Sequence, residues 1–456
     1  MRKRPTALAG HQVDRSYLPL LLTLGLGVFA GALDLGVLSP ALPAIGLEFR
    51  TATGDLAWIF TLYLLVDVVS IAIASTLADR YGRRPVYIAS IALFAVGSAV
   101  AVSAPNYGIF LFARALQAFG AGGIFPVATA AIGDVVPPHK RGAALGLVAA
   151  TWGLAAVIGP AFGGIVTHFV SWRWIFALNF PLAAVVIYFA RIYVPVNAPH
   201  RRGPLDVFGL VLLAGGLLLL MYGISGLHAV TIVLGLLLLA WFVYWERRIT
   251  HPIIPPALFL NVQLAKTYSL EITIGILEGS LFFIPTVLIG AQHLSYAAAG
   301  LIAAIGALVF VAVIPASGRA LDRIGSRDVL IVGTLCTEIG LALFAVGFDT
   351  LWMSILAMLI AGFGFGALLG APTRYIVTNE STPETRATSV GLLSQFLIVG
   401  QIVGGSLAAG ILGAALSDTA AYRNTYLMFA AVALVALAIA STLRPRNQEL
   451  LARTPE

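Results

Sequence analysis

Apolar residues occur in this chain as long unbroken blocks, separated by short polar stretches rather than alternating with them. A helix that is apolar on every side has no face to offer water. About 20 such residues cross the hydrocarbon of a bilayer. Fourteen runs are long enough: 18–46, 56–79, 85–104, 107–134, 142–168, 173–194, 205–225, 229–246, 267–292, 298–320, 328–348, 351–378, 387–415 and 422–443. The connections are short and leave no room for a large water-soluble domain. The pattern predicts an all-α integral membrane protein with fourteen spans.

The polar positions that interrupt these blocks are few, and each needs a reason. Asp34, Asp67, Glu271 and Glu278 stand inside predicted spans. A charge in hydrocarbon costs several kcal/mol, so such groups mark ion or substrate paths more often than packing. Asp34 lies about 12 residues from the far end of its run, roughly 18 Å at the helical rise. A carboxyl at that depth can exchange a proton or attract a cation; the plainer alternative is a permanently hydrogen-bonded acid. Arg114, roughly 10 Å inside the fourth span, needs a partner because it keeps its proton. It either governs protonation of a nearby acid such as Asp34 or holds spans one and four together. Glu271 and Glu278 are seven apart and return to nearly the same helix face. They suit a proton path or a second cation contact, although Glu271 is also near enough to the interface to snorkel. Asp67 is placed either for proton coupling or for helix–helix contact. All seven histidines fall in loops or at span ends, so carboxylates must carry any proton traffic through the membrane.

Composition agrees. Of 456 residues, 59% are hydrophobic and 10% charged, against about 25% charged in soluble domains, and the mean hydropathy is +0.96. The net charge of +7 reflects the distribution of Lys and Arg across the membrane, not a nucleic-acid partner. If both termini are cytoplasmic, Arg2, Lys3, Arg4, Arg15, Arg80, Arg83, Arg84, Lys140, Arg141, Arg201, Arg202, Arg247, Arg248, Arg323, Arg327, Arg386, Arg444 and Arg446 fall inside, and Arg50, Arg173 and Arg423 outside. The expected location is therefore a cytoplasmic (inner) cell membrane. The single cysteine, Cys336, allows no intrachain disulfide or cysteine metal cage. No Gly-Lys phosphate loop and no His-Glu-x-x-His zinc motif occurs. The sequence thus points to no cofactor, no metal and no enzyme.

The two halves repeat. Ser75 to Arg84 matches Gly318 to Arg327 with an offset of 243, so that Asp79, Arg80 and Gly82 correspond to Asp322, Arg323 and Gly325. Gly120 and Pro126 pair with Gly366 and Pro372, and Arg141 and Gly146 with Arg386 and Gly391. Same-orientation repeats imply two bundles related by an axis along the membrane normal. Six spans precede residue 195 and six follow residue 265, so the pair at 205–246 is an insertion. The expected organisation is 1–198, a six-helix bundle; 199–256, an inserted helix pair; and 257–456, a second bundle.

These motifs resemble the major facilitator superfamily. Leu77 to Arg84 is similar to its loop motif between helices 2 and 3, with Ser75 in place of the first glycine. Arg114 to Gly120 is similar to the helix 4 motif, with Ala118 in place of a glycine. Gly153 to Gly164, including Gly159, Pro160, Gly163 and Gly164, resembles the helix 5 signature of antiporters. Leu33 and Asp34 through Pro43, and Trp172 to Phe176 with Asn179 and Pro181, resemble the fourteen-span drug:proton antiporter branch. The resemblance implies the major facilitator fold, two six-helix bundles plus two extra transmembrane helices. It also implies helices lining a central cavity, a latch at Asp79, Arg80, Gly82, Arg83, Arg84, Asp322 and Arg323 that holds the cytoplasmic side shut, and a bias towards export from the helix 5 glycines. The expected function is proton-coupled export of amphipathic, cationic drugs by alternating access. Its partners are then a small-molecule substrate, protons and the lipid bilayer, with the chain a monomer. Asp34 and Glu278 would contact substrate alongside Trp58, Tyr63, Trp152 and Phe282, aromatics that otherwise face neighbours or lipid. Export of lipids or lipid conjugates on the same scaffold is the alternative; a sensor or channel is more distant.

Overall fold

A computed structural model describes residues 17–196, 206–226, 228–249, 252–254, 256–381, 386–412 and 419–451. Arg2, Lys3, Arg4, Arg15, Arg201 and Arg202, part of the charge asymmetry above, lie outside them. Among the described residues, fourteen helices are long and apolar enough to cross a membrane: α1 Leu18–Phe49, α2 Gly54–Tyr81, α3 Arg83–Ser103, α4 Tyr107–Val135, α5 Ala144–Phe169, α6 Arg173–Tyr193, α7 Val207–Gly226, α8 Ala229–Glu246, α9 Val262–Gln292, α10 Tyr296–Ile324, α11 Ser326–Gly347, α12 Leu351–Glu380, α13 Ser389–Leu412 and α14 Thr419–Ser441. Helices satisfy every internal backbone group without water, which is why apolar runs of this length take no other form in lipid. Side chains cap several ends: Asn106 accepts from Ile109 N at 3.0 Å at the start of α4, and Ser295 from Ala298 N at 3.2 Å at the start of α10.

The internal repeat is visible in the backbone. Gly82 and Gly325 hold φ of 94° and 91°, a conformation that suits glycine, and each turns one span sharply into the next. Close helix pairs recur at matching places. Gly97 brings α3 against the backbone of Gln117 on α4, and Gly340 brings α11 against that of Ala361 on α12.

Three spans are broken in mid-membrane where the sequence shows one apolar run. α1 passes through a short 3-10 turn at Ser39–Ala41, α9 through one at Gly279–Phe283, and α12 breaks between Leu368 and Pro372. Pro40, Pro285 and Pro372, each lacking an N–H, sit at or just after these breaks.

The apolar packing is lopsided. On the face away from the termini, one continuous core joins Val37, Leu42, Ile45 and Phe60 of the first six helices to Leu277, Phe283 and Ile284 of the last six. On the terminal face the cores are separate. Leu21, Tyr87, Ile132 and Val186 form one; Leu264, Tyr268 and Leu393 form another. The first six and the last six helices therefore share one core at the far face. Ser39 Oγ donates to the Phe282 carbonyl at 2.7 Å, and the Phe60 and Phe282 rings stack at 4.3 Å, both across this junction. The inserted pair α7–α8 lies along the α2–α13 seam, where Leu213, Leu217 and Met221 pack with Leu64 and Ile402. The opposite seam is formed by α5 and α10, whose far halves meet with Gly164 against Tyr296 and Gly300 against Pro160.

Candidate functional site: a buried ion pair among four helices

Four helices of the first half bring their scarce polar side chains to one point. Arg114 of α4 donates through Nη1 to Asp34 Oδ2 of α1 and to Gln117 Oε1 at 2.7 Å. Gln117 Nε2 donates to Asp34 Oδ1 at 3.2 Å and to Ser98 Oγ of α3 at 2.7 Å. Asn179 of α6 donates to the same two atoms, at 3.3 and 3.0 Å. The Arg114 guanidinium lies 4.3 Å from the centre of the Tyr63 ring of α2, an attractive cation–π contact. Both charged side chains are 0% exposed.

The donor count says what this site holds. Asp34 accepts from three donors and among the described residues is offered no acceptor for a carboxyl hydrogen, which is the surrounding of a charged carboxylate. Arg114 is not fully matched: its Nε and Nη2 are buried without a partner among the described residues. A buried ion pair of this kind gains little net stability over apolar packing, and removing one partner strands the other. Deleting either side chain therefore leaves the other charge buried and unpaired.

The other sequence-predicted residues are dispersed. Asp67 is half-buried one turn along α2 from Tyr63. Glu278 sits where α9 breaks, half-buried, with Gln401 of α13 donating to its Oε2 at 2.9 Å. Glu271 is buried rather than snorkelling, with Thr373 in hydrogen-bonding reach and Oε2 unpartnered. Trp58 faces Tyr222 of the inserted pair, 6.3 Å between ring centres. Tyr63 is covered by Arg114 and 1% exposed, Trp152 is exposed on α5, and Phe282 belongs to the far-face junction.

At the terminal face Arg83 bridges Asp79 and Asp134, the latter at 3.1 Å. Arg80 is exposed and Arg84 half-buried. The second copy is not built alike. Ser326 stands where Arg83 stands in the first, and Asp322 and Arg323 are exposed; the Asp322 carbonyl accepts from Arg446 Nη2 at 3.0 Å. In α5, Gly159 and Gly163 let α1 approach, because a Cβ on either would overlap the backbone at Gly36 and Val37, whereas Gly164 and the Pro160 carbonyl meet α10.

Sequence reasoning missed Ser98 and Gln401 and assigned no role to Gln117 and Asn179. Gln117 carried a signal, three residues after Arg114 and so on its face of the helix. The others are single polar residues in apolar runs.

The model of the Major Facilitator Superfamily matches residues 24–210 and 267–456, both six-helix sets and the start of the inserted pair. The chain belongs to the major facilitator superfamily. Its relatives include an uncharacterized MFS-type transporter, YfiU, of Bacillus subtilis, 31% identical over 85% of this chain and 78% of that protein. The multidrug resistance protein B homolog of Mycobacterium tuberculosis is 29% identical over 91% and 79%. The tetracenomycin C resistance and export protein of Streptomyces glaucescens is 30% identical over 87% and 75%. With its fourteen spans the chain stands in the fourteen-span branch of this superfamily. Among solved structures, the nucleoside transporter NupG shares the fold with a TM-score of 0.67 at 14% identity, over 97% of this chain and all of that one. A bacterial homolog of the human lysosomal transporter Spinster, inward-facing and unoccupied, gives a TM-score of 0.68 at 17% identity over 97% and 100%. This major facilitator is a multi-pass membrane transporter, and small molecules are its cargo.

Proposed function

We propose that this major facilitator is a proton-coupled antiporter that exports amphipathic, cationic molecules by alternating access. It acts as a monomer in the cytoplasmic membrane with both termini inside. The observation that carries this reading is the Asp34–Arg114 pair, a charged carboxylate held dry at mid-span in a protein whose two bundles share a core at the far face. On this orientation the far face is outside, and the arrangement is the inward-facing stage with the proton already gone from Asp34. Residues 1–198 and 257–456 are the two rocking units, and 199–256 an inserted pair along one seam.

Arg114 acts as a resident counter-cation. It occupies the Asp34 carboxylate when neither proton nor substrate neutralises it. A proton arriving from outside releases Arg114, and the bundles rock. Each ligand must favour a different state if it is to move the equilibrium, so proton and cationic substrate compete for acids in opposite orientations. Glu278, at the α9 break beside the bundle junction, is the second acid of the pathway. Asp67 and Glu271 flank it at other depths, and Phe282 and Trp152 present aromatic surface to the substrate. Asp79, Arg80, Gly82, Arg83 and Arg84, with Asp322 and Arg323, form the switch region at the cytoplasmic ends, and the α5 glycines set the seam with α10. The names of the multidrug resistance and tetracenomycin relatives support the choice of drug-like cargo.

The test is transport by purified protein in proteoliposomes with an imposed pH gradient, against a panel of lipophilic cations, neutral drugs and labelled lipids. Cation movement driven by the gradient and abolished by a protonophore is the expected result. Cation movement indifferent to the gradient, or movement of lipids alone, overturns the reading.

A further inference from the structure

Away from the Asp34 network, two more acids are brought together where the inserted helix pair meets the strap leading into α9. Asp206 starts α7 and Glu246 ends α8, 40 positions apart in sequence. Asp206 Oδ1 accepts from Gly209 N at 2.9 Å, an N-cap that favours a charged carboxylate at a helix start. Trp245 Nε1 donates to Asp206 as well, at 3.1 Å. Glu246 is 2% exposed. Its Oε2 accepts from the backbone of Ile254 at 2.8 Å, with the Ile253 amide also within reach of the carboxyl, while its Oε1 is buried without a hydrogen-bond partner among the described residues. That orphan oxygen and Asp206 Oδ2 converge over Gly209, where a Cβ would meet both. The two carboxyls are within hydrogen-bonding reach, and Asp206 is the one charged side chain facing Glu246 among the described residues. Arg248, two residues on, is engaged over the Tyr244 ring at 4.3 Å.

Two carboxylates this close, one of them buried, do not both ionise readily; sharing one proton converts repulsion into a hydrogen bond. We propose that Asp206 and Glu246 form a one-proton site, with the hydrogen on Glu246 Oε1 donated to Asp206 Oδ2, that fastens the strap at Ile254 to the inserted helix pair. With this hydrogen in place every buried oxygen of the pair has a partner. The strap matters because Ile254 packs both against the core that holds Leu217 and Phe242 of the inserted pair and against the core that holds Leu264 and Tyr268 of the last bundle. Loss of the proton sets two negative charges against each other, draws Glu246 away from Ile254 N, and loosens the link between insertion and bundle. The inserted pair thereby becomes a proton-conditional clasp, separate from the acids on the substrate path.

The experiment follows hydrogen exchange at the Ile254 amide together with the infrared carbonyl band of protonated carboxyls, in substrate-free protein titrated upward in pH. In the wild type, Ile254 protection falls by up to about tenfold per pH unit beyond the intrinsic rise, the slope of one released proton, and a protonated-carboxyl band is lost in parallel. Glu246→Gln, which keeps an uncharged donor and acceptor, holds Ile254 protected at every pH and lacks that band change. Asp206→Asn removes the repulsion from the other side and likewise flattens the protection curve. Flat protection in the wild type, or an unchanged band loss in Glu246→Gln, overturns the proposal. The wild-type titration decides even if a variant fails to fold, and neither readout involves transport, so the antiporter reading stands or falls separately.

Discussion

Asp34→Asn is the sharpest perturbation of the buried pair. The substitution keeps the size of the side chain but removes its charge and replaces one acceptor by a donor. Three donors now converge on Asp34, from Arg114, Gln117 and Asn179, and one of them would face the new amide NH2. Arg114, 0% exposed and with two nitrogens already unpartnered among the described residues, would lose the counter-charge that Asp34 supplies. Removing one partner of a buried ion pair costs about 3–5 kcal/mol. Arg114→Gln strands Asp34 in the same way and is expected to fall in the same range. The double variant removes both charges and leaves amide side chains that hydrogen-bond each other, so its loss falls short of the sum of the singles by about 2–3 kcal/mol. The assay is equilibrium unfolding of detergent-solubilised protein for all four members of the cycle. Losses that add within about 0.5 kcal/mol would refute the reasoning, since uncoupled residues behave that way.

Further outcomes follow from particular contacts. Gly164→Ala places a methyl against the Tyr296 carbonyl across the α5–α10 seam, whereas Gly146→Ala meets nothing within 4 Å. In a Cys336→Ser background, cross-linking between cysteines at positions 39 and 282 should therefore drop in the first variant and hold in the second. Arg83→Gln removes the guanidinium that bridges Asp134 and the buried Asp79 and should cost about 3 kcal/mol in the unfolding assay. Asp322→Asn alters the exposed counterpart and should stay within about 0.5 kcal/mol. Gly209→Ala crowds the Asp206 and Glu246 oxygens and should reduce Ile254 protection at every pH, read by hydrogen exchange.

How far the sequence can be read depends on the distance over which each feature is encoded. The fourteen spans are local, because lipid demands about 20 apolar residues in a row, and they stand where the pattern places them. The breaks at Ser39–Ala41 and Gly279–Phe283 are hidden, since small and apolar residues carry the run straight through the 3-10 turns. The charged members of the site are legible because Asp34 and Arg114 are costly in hydrocarbon wherever they point. Their partners are not. Ser98, Gln117 and Asn179 come from three helices, and only tertiary packing brings them to one carboxylate. Aromatic residues are the least legible: nothing local distinguishes Trp58, turned to Tyr222, from Phe282, stacked across the bundle junction. The repeat is legible as a motif, but its asymmetry needs coordinates, because the replacement of Arg83 by Ser326 leaves Asp322 on the surface.

In the proposed cycle one carboxylate, Asp34, is exchanged between a proton and a cationic substrate. The most direct measurement is proton release into weakly buffered solution when an ethidium-like cation is added to the purified transporter. Saturable release from the wild type, abolished in Asp34→Asn, is the predicted result. No release from a wild type that binds the cation, or release undiminished in Asp34→Asn, would contradict it.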